Sequence, residues 1–77
     1  MIKIPINFRK TDDIVKFVEI ANQYPFHMDL VSGNRAVDAK SLMGTLAMGH
    51  ADRLSLMIHS YPSPSTDQLL TQMQSFT

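Results

Sequence analysis

Apolar residues recur along the chain with two distinct periods. Ile2, Ile4, Ile6 and Phe8 take alternate positions of the first segment, the pattern of a half-buried strand, in which successive side chains point to opposite faces. Pro5 lies inside this run. It has no N–H to give to a ladder, so the strand is expected at a sheet edge with residue 5 turned outward. Ile14, Phe17, Val18 and Ala21 then fall at i, i+3, i+4 and i+7, which predicts an amphipathic helix. Thr11-Asp12-Asp13 supplies its start, with side-chain oxygens for free N–H groups and negative charge for the first turn. The helix is expected to end near Tyr24, because Pro25 pushes the residue before it out of the helical region.

The alternation then resumes. Phe26, Met28 and Leu30 alternate with His27, Asp29 and Val31, and Ser32-Gly33-Asn34-Arg35 offers turn residues before Ala36-Val37-Asp38, so a hairpin is expected. Ser41 opens a short apolar helix through Leu42, Met43, Leu46, Ala47 and Met48, and Gly49 closes it, in keeping with serine before a helix and glycine after it. Leu54, Leu56 and Ile58 mark a fourth strand. Ser65 and Gln68 resemble a capping box ahead of a last helix with Leu69, Leu70, Met73 and Phe76 on its inner face,. The order is βαββαβα, an α+β arrangement with no internal repeat.

Composition narrows the classes. The chain has 77 residues, 44% of them apolar, a net charge of zero and no cysteine. A chain this short buries only about two-thirds of its surface, and one domain over residues 1–77 is expected. Disulfides, thiol redox pairs and thiolate metal sites need sulfur ligands that are missing here. A neutral chain gives no bulk attraction to nucleic acid or an anionic membrane, and no apolar run approaches the roughly 18 residues of a membrane span. A soluble, cytoplasmic domain is the expectation.

Candidate chemistry is sparse. His27, His50 and His59 match no zinc-ligand spacing, and His27 and His59 fall on polar strand faces, where solvated rings are expected and no metal site is assigned. Asp12 and Asp13 point in different directions on a helix and serve its dipole. Arg9 and Lys10, just ahead of them, give a weak anion signal with the free N–H groups of that helix. No cofactor motif is present.

The segment VDAKSLMGTLAMG at 37–49 resembles the regulatory-serine segment of HPr, the phosphocarrier family of the bacterial sugar phosphotransferase system, whose pattern there is roughly V-N-A-K-S-I/L-M-G-x-M/L-x-L-G. The agreement runs back through the hairpin to Ala21-Asn22-Gln23-Tyr24 and forward into the strand at 54–58. The resemblance implies an open-faced β-sandwich: a four-stranded antiparallel sheet in the order 1-4-2-3 with three helices on one face.

The family's active loop reads G-I/L-H-A-R-P-A, with a phosphoryl-accepting histidine and an arginine that helps hold the phosphoryl group. Counting back from Ala21 places Lys10 near that histidine, Asp12 at the arginine and Asp13 at the proline, over a connection that looks several residues short. A protonated lysine has no free lone pair, and aspartate repels the incoming group, so the resemblance implies a relative without the histidine relay. It also implies that Ser41 is a candidate phosphosite for an HPr kinase. Val15, Leu42, Leu46 and Ala47 would form a docking patch for phosphotransferase-system enzymes or a transcription regulator. A serine there is also an ordinary helix cap, and Met43 and Met48 are expected in the core. Two other readings stand beside this non-enzymatic adaptor. In one, a carrier uses His50 as a displaced phosphoacceptor with Arg9 or Arg53 as its clamp; in the other, a binding module has no link to sugar transport.

Overall fold

Four strands and three helices follow one another in the expected order in the computed structural model, which describes residues 1–77: β1 (Ile2–Pro5), α1 (Thr11–Ala21), β2 (His27–Ser32), β3 (Arg35–Asp38), α2 (Leu42–Met48), β4 (Ser55–His59) and α3 (Pro64–Met73), with a closing 3-10 turn at Gln74–Phe76. The sheet is antiparallel throughout in the order β1-β4-β2-β3. β1 is therefore an edge, as Pro5 requires, and Pro5 lies opposite Ser55 with its ring exposed.

Alternation separates the two faces of the sheet. Met28 and Leu30 of β2 and Leu56 and Ile58 of β4 are fully buried, against Phe17 and Ala21 of α1, Met48 of α2 and Leu69 and Met73 of α3. Each large side chain buried this way contributes about 1.5–3 kcal/mol. The residues between them on β2 and β4, His27, Asp29, Met57 and His59, are turned to the opposite, open face. Gly33, at φ +60°, takes the first central position of the β2–β3 turn, where a left-handed residue matches the twist of the strands,. No helix is long and apolar enough to cross a membrane.

Several boundaries differ from the sequence expectation, each for a local reason. β1 stops at Pro5. Ile6 still donates to the Leu54 carbonyl at 2.9 Å, but Asn7 donates to Phe76 O instead, so the chain turns from the sheet toward the C-terminal turn. Phe8 follows it inward, edge-on to Phe17 and Phe76 at 5.1 and 6.1 Å between ring centroids.

α1 has Lys10 at its N-cap with no side-chain cap; Thr11 does not cap it. Asp13 turns back from inside the first turn instead, and accepts the N–H of Arg9, the residue before the N-cap, at 3.0 Å. The helix ends at Ala21, three residues before Tyr24. Gln23 and Tyr24 bond back three residues in a tightened turn, and Asn22 Nδ2 bridges the carbonyls of Val18 and Lys40 at 2.9 and 3.0 Å.

The capping box of α3 is Ser63 with Thr66, two residues earlier than Ser65 and Gln68, and Pro64 fixes the first helical position,. Gly49 closes α2 in a right-handed conformation, φ −61°. A Cβ there would meet Ile14 Cδ1 at 2.5 Å, so a larger residue would have to push the end of that side chain aside. Met48 is buried as expected. Met43 is not a core residue: it is 84% exposed.

Candidate functional site

Two clefts and one apolar surface gather the residues singled out from the sequence. The first cleft, of about 330 Å³, lies between the connection after β1 and the connection from α2 to β4. It is lined by Asn7, Phe8, His50, Ala51, Asp52 and Arg53 among others. Phe8 forms part of its floor because the aromatic trio anchors that side chain in the core. The opposite wall is held by Ala51, whose N–H reaches Met48 O at 2.9 Å, and by the Asp52 carbonyl, which accepts from Ser32 Oγ at 2.7 Å. Arg53 sits at φ +57°, a left-handed conformation that disfavours a residue with a Cβ by about 1–2 kcal/mol. His50 and Arg53 are both exposed, so an imidazole and a guanidinium share one rim.

The second cleft lies at the start of α1 and is lined by Arg9, Lys10, Asp13 and Lys16. Three cations and a helix N-terminus suit an anion in principle. The chain supplies its own. Asp13 is buried, accepts the Arg9 N–H at 3.0 Å and has Arg9 Nε at 3.8 Å. The Arg9 guanidinium is turned away to the Ser75 carbonyl, 2.8 Å from Nη2. Lys10 is exposed and caps nothing with its side chain. None of the residues lining this cleft carries an imidazole; His50 belongs to the other one.

The apolar surface is carried by α1 and α2, which pack side by side. Val15, Leu42 and Leu46 are 37–42% exposed, and Met43 adds most of its side chain. Ala47 is exposed beside them. Ser41 stands at the start of α2 with its Oγ accepting the Gly44 N–H at 3.2 Å. Its approach is braced: the Ser41 N–H reaches Asp38 O at 3.0 Å, Asp38 Oδ1 accepts the Lys40 N–H at 2.9 Å, and Lys40 Nζ donates to Tyr24 O at 2.6 Å. Ser41 is exposed, so its hydroxyl meets solvent while it caps.

One constellation escaped the sequence reading. His27 and His59 are not separately solvated rings. They lie opposite each other on β2 and β4, and both turn Nε2 to the Asp29 carboxylate. The signal was the spacing of His27 and Asp29, which puts both on one face of a strand. The third member arrives only through the β2–β4 pairing.

No family model matches the sequence, and no curated protein matches it. Among solved structures, the chain is similar to the crystal structure of HPr-C-His from Thermoanaerobacter tengcongensis, with a TM-score of 0.71, 20% identity, and coverage of 96% of this chain and 90% of that one. A likeness of this depth over nearly the whole length establishes the architecture, and the chain has the HPr-like fold: an α+β open-faced sandwich of order βαββαβα.

Proposed function

We propose that this protein is a non-enzymatic adaptor of the HPr type, binding other proteins through the face of α1 and α2 and carrying no histidine relay at the start of α1. The observation behind this reading is the exposed apolar group Val15, Leu42, Met43, Leu46 and Ala47, contributed by two adjacent helices beside Ser41. Apolar side chains grouped at one place on a small surface favour association with a partner that covers them. The relay reading is disfavoured by the first turn of α1, where a lysine ammonium and a buried carboxylate stand in the cleft a phosphoryl group would enter.

Ser41 is the candidate switch. A phosphate there would add nearly two negative charges next to Leu42 and Met43, altering the docking face without disturbing the core. The partners that fit the resemblance are phosphotransferase-system enzymes, an HPr kinase or a transcription regulator.

The carrier reading is favoured by one feature, the shared cleft of His50 and Arg53. Incubation with phosphoenolpyruvate and the first enzyme of the phosphotransferase system separates the two. The adaptor reading expects no acid-labile phosphate on any histidine. It also expects Leu46→Glu to weaken binding of that enzyme or of HPr kinase at least about tenfold, as loss of a central interface contact does. Acid-labile label that disappears in His50→Ala would put the carrier reading in its place.

A further inference from the structure

The open face of the sheet, away from both clefts and from the helices, carries a cluster that the adaptor reading does not use. His27 and Asp29 stand two residues apart on β2, so both project from the same face, and His59 of β4 lies directly opposite His27. The Asp29 carboxylate sits between the rings. Its Oδ2 is 3.0 Å from His59 Nε2 and its Oδ1 is 3.4 Å from His27 Nε2. The ring centroids are 5.0 Å apart, and one donor atom from each residue lies within 4.8 Å of the other two.

We propose that His27, Asp29 and His59 form a binding site for a divalent transition-metal ion of the zinc class. The distances carry the argument. In a tetrahedral site with metal–ligand bonds of about 2.0–2.1 Å, neighbouring donor atoms lie about 3.3–3.4 Å apart. The carboxylate already stands at 3.0 and 3.4 Å from the two ring nitrogens. These contacts are made by different oxygens, so whichever one serves as the donor, one edge already stands near that length and the other two, at most 4.8 Å long, close by about 1.5 Å or less,. Side-chain rotation supplies that movement, since His27 is 65% exposed and free to turn, while the backbone of all three ligands is fixed in the two central strands of the sheet.

The donor set selects the ion. Two imidazoles and one carboxylate suit zinc, cobalt, nickel and copper, whereas magnesium and calcium prefer all-oxygen shells. Three protein donors at a surface leave the outward coordination position to water or to a group on another molecule, as in open zinc sites. Asp29 has a second role in the same arrangement. Hydrogen-bonded to His59 Nε2 at 3.0 Å, with His27 Nε2 at 3.4 Å, it keeps both rings near the common centre before an ion arrives, so less ordering remains to be done on binding,.

Because the ion bridges β2 and β4, it binds the folded chain and not the unfolded one, and thermal stability rises with metal concentration. The test is a thermal melt of the full chain with Zn²⁺ added, paired with a Co²⁺ titration read by visible d–d absorption. The wild-type protein is expected to melt higher with Zn²⁺, to return to its starting midpoint with a chelator, and to take up one Co²⁺ per chain. Loss of a mere outer-shell partner weakens metal sites about 10–100-fold, so His59→Ala and His27→Ala should lose affinity by at least that factor. Asp29→Asn, which keeps the shape and removes the charge, tests the carboxylate without a packing change. His50→Ala, remote from the cluster, should bind as the wild type does. Uptake that survives loss of both His27 and His59, uptake that depends on His50, or the absence of any Zn²⁺ shift and any Co²⁺ band in a wild-type chain shown to be folded would each overturn the proposal.

Discussion

Asp13 offers the sharpest test of how the start of α1 is built. Its carboxylate is buried, 12% exposed, and accepts the Arg9 N–H at 3.0 Å. A hydrogen bond to a charged group contributes about 1.5–3 kcal/mol, and a negative charge in the first turn of a helix adds about 0.3–1 kcal/mol. The Arg9 guanidinium at 3.8 Å adds little, because that side chain is 71% exposed and the pair is screened by solvent,. Asp13→Ala should therefore destabilise by about 2–4 kcal/mol, and Asp13→Asn, which keeps an acceptor oxygen, by about half as much. In a domain of this size each kcal/mol moves the melting midpoint by roughly 4–8 °C. Urea unfolding of the three proteins, with the slope unchanged, measures the differences directly. The variants carry a second readout. Once Asp13 is gone, Arg9, Lys10, Lys16 and the freed Arg9 N–H face an open cleft, and inorganic phosphate should raise the midpoint of Asp13→Ala more than that of the wild type. Equal stability of all three proteins, or identical phosphate shifts, would refute the view that this carboxylate occupies the place of an external anion.

Two substitutions test the middle and the start of α2 in opposite directions. Thr45 is fully buried and its Oγ1 finds no hydrogen-bond partner within the protein, so Thr45→Val should stabilise by about 1 kcal/mol, because a lone buried hydroxyl carries an unrepaid desolvation cost of about 1–3 kcal/mol; an unchanged or lower urea midpoint would contradict this. Ser41→Ala removes the bond to the Gly44 N–H and should destabilise by about 0.5–2 kcal/mol, whereas Ser41→Asp should keep most of the wild-type stability in the same melt, since aspartate caps as well as serine does.

Periodic elements were legible in the sequence and their ends were not. The stripe of Ile14, Phe17, Val18 and Ala21 announces α1 because burial demands it, and all four are buried. The competing signals at its ends are local and nearly equal. Thr11, Asp12 and Asp13 can each offer an oxygen to an N–H group, and only the path of residues 6–10 over Phe76 and Ser75 decides that Asp13 turns back to Arg9. Likewise Ser63 and Ser65 both carry capping hydroxyls, and Pro64 at the first helical position resolves them in favour of Ser63. Met43 and Met48 are chemically identical in the sequence, yet their places on α2 differ by five residues, which puts them on different sides of the helix. One is buried under α1 and the other stands in solvent. The His27–Asp29–His59 cluster lay outside local reading altogether, because β4 comes to β2 from across the chain and its register decides which residue faces His27.

The same packing accounts for the HPr-like frame and for how the start of α1 is held on it. The frame rests on a core of Met28, Leu30, Leu56 and Ile58 on the sheet and Met48, Leu69 and Met73 on the helices, with Phe8 of the entrance packed against it. The connection from β1 to α1 is held against the C-terminal turn at three points. Asn7 donates to Phe76 O, Phe8 packs on Phe76 and Phe17, and Arg9 donates to Ser75 O. A connection pinned at 7, 8 and 9, with the helix beginning at Thr11, leaves Lys10 alone without such an anchor. The exposed apolar helix face around Leu42, Met43 and Leu46 and the open face of the sheet therefore lie on opposite sides of the fold, with the sheet itself between the two.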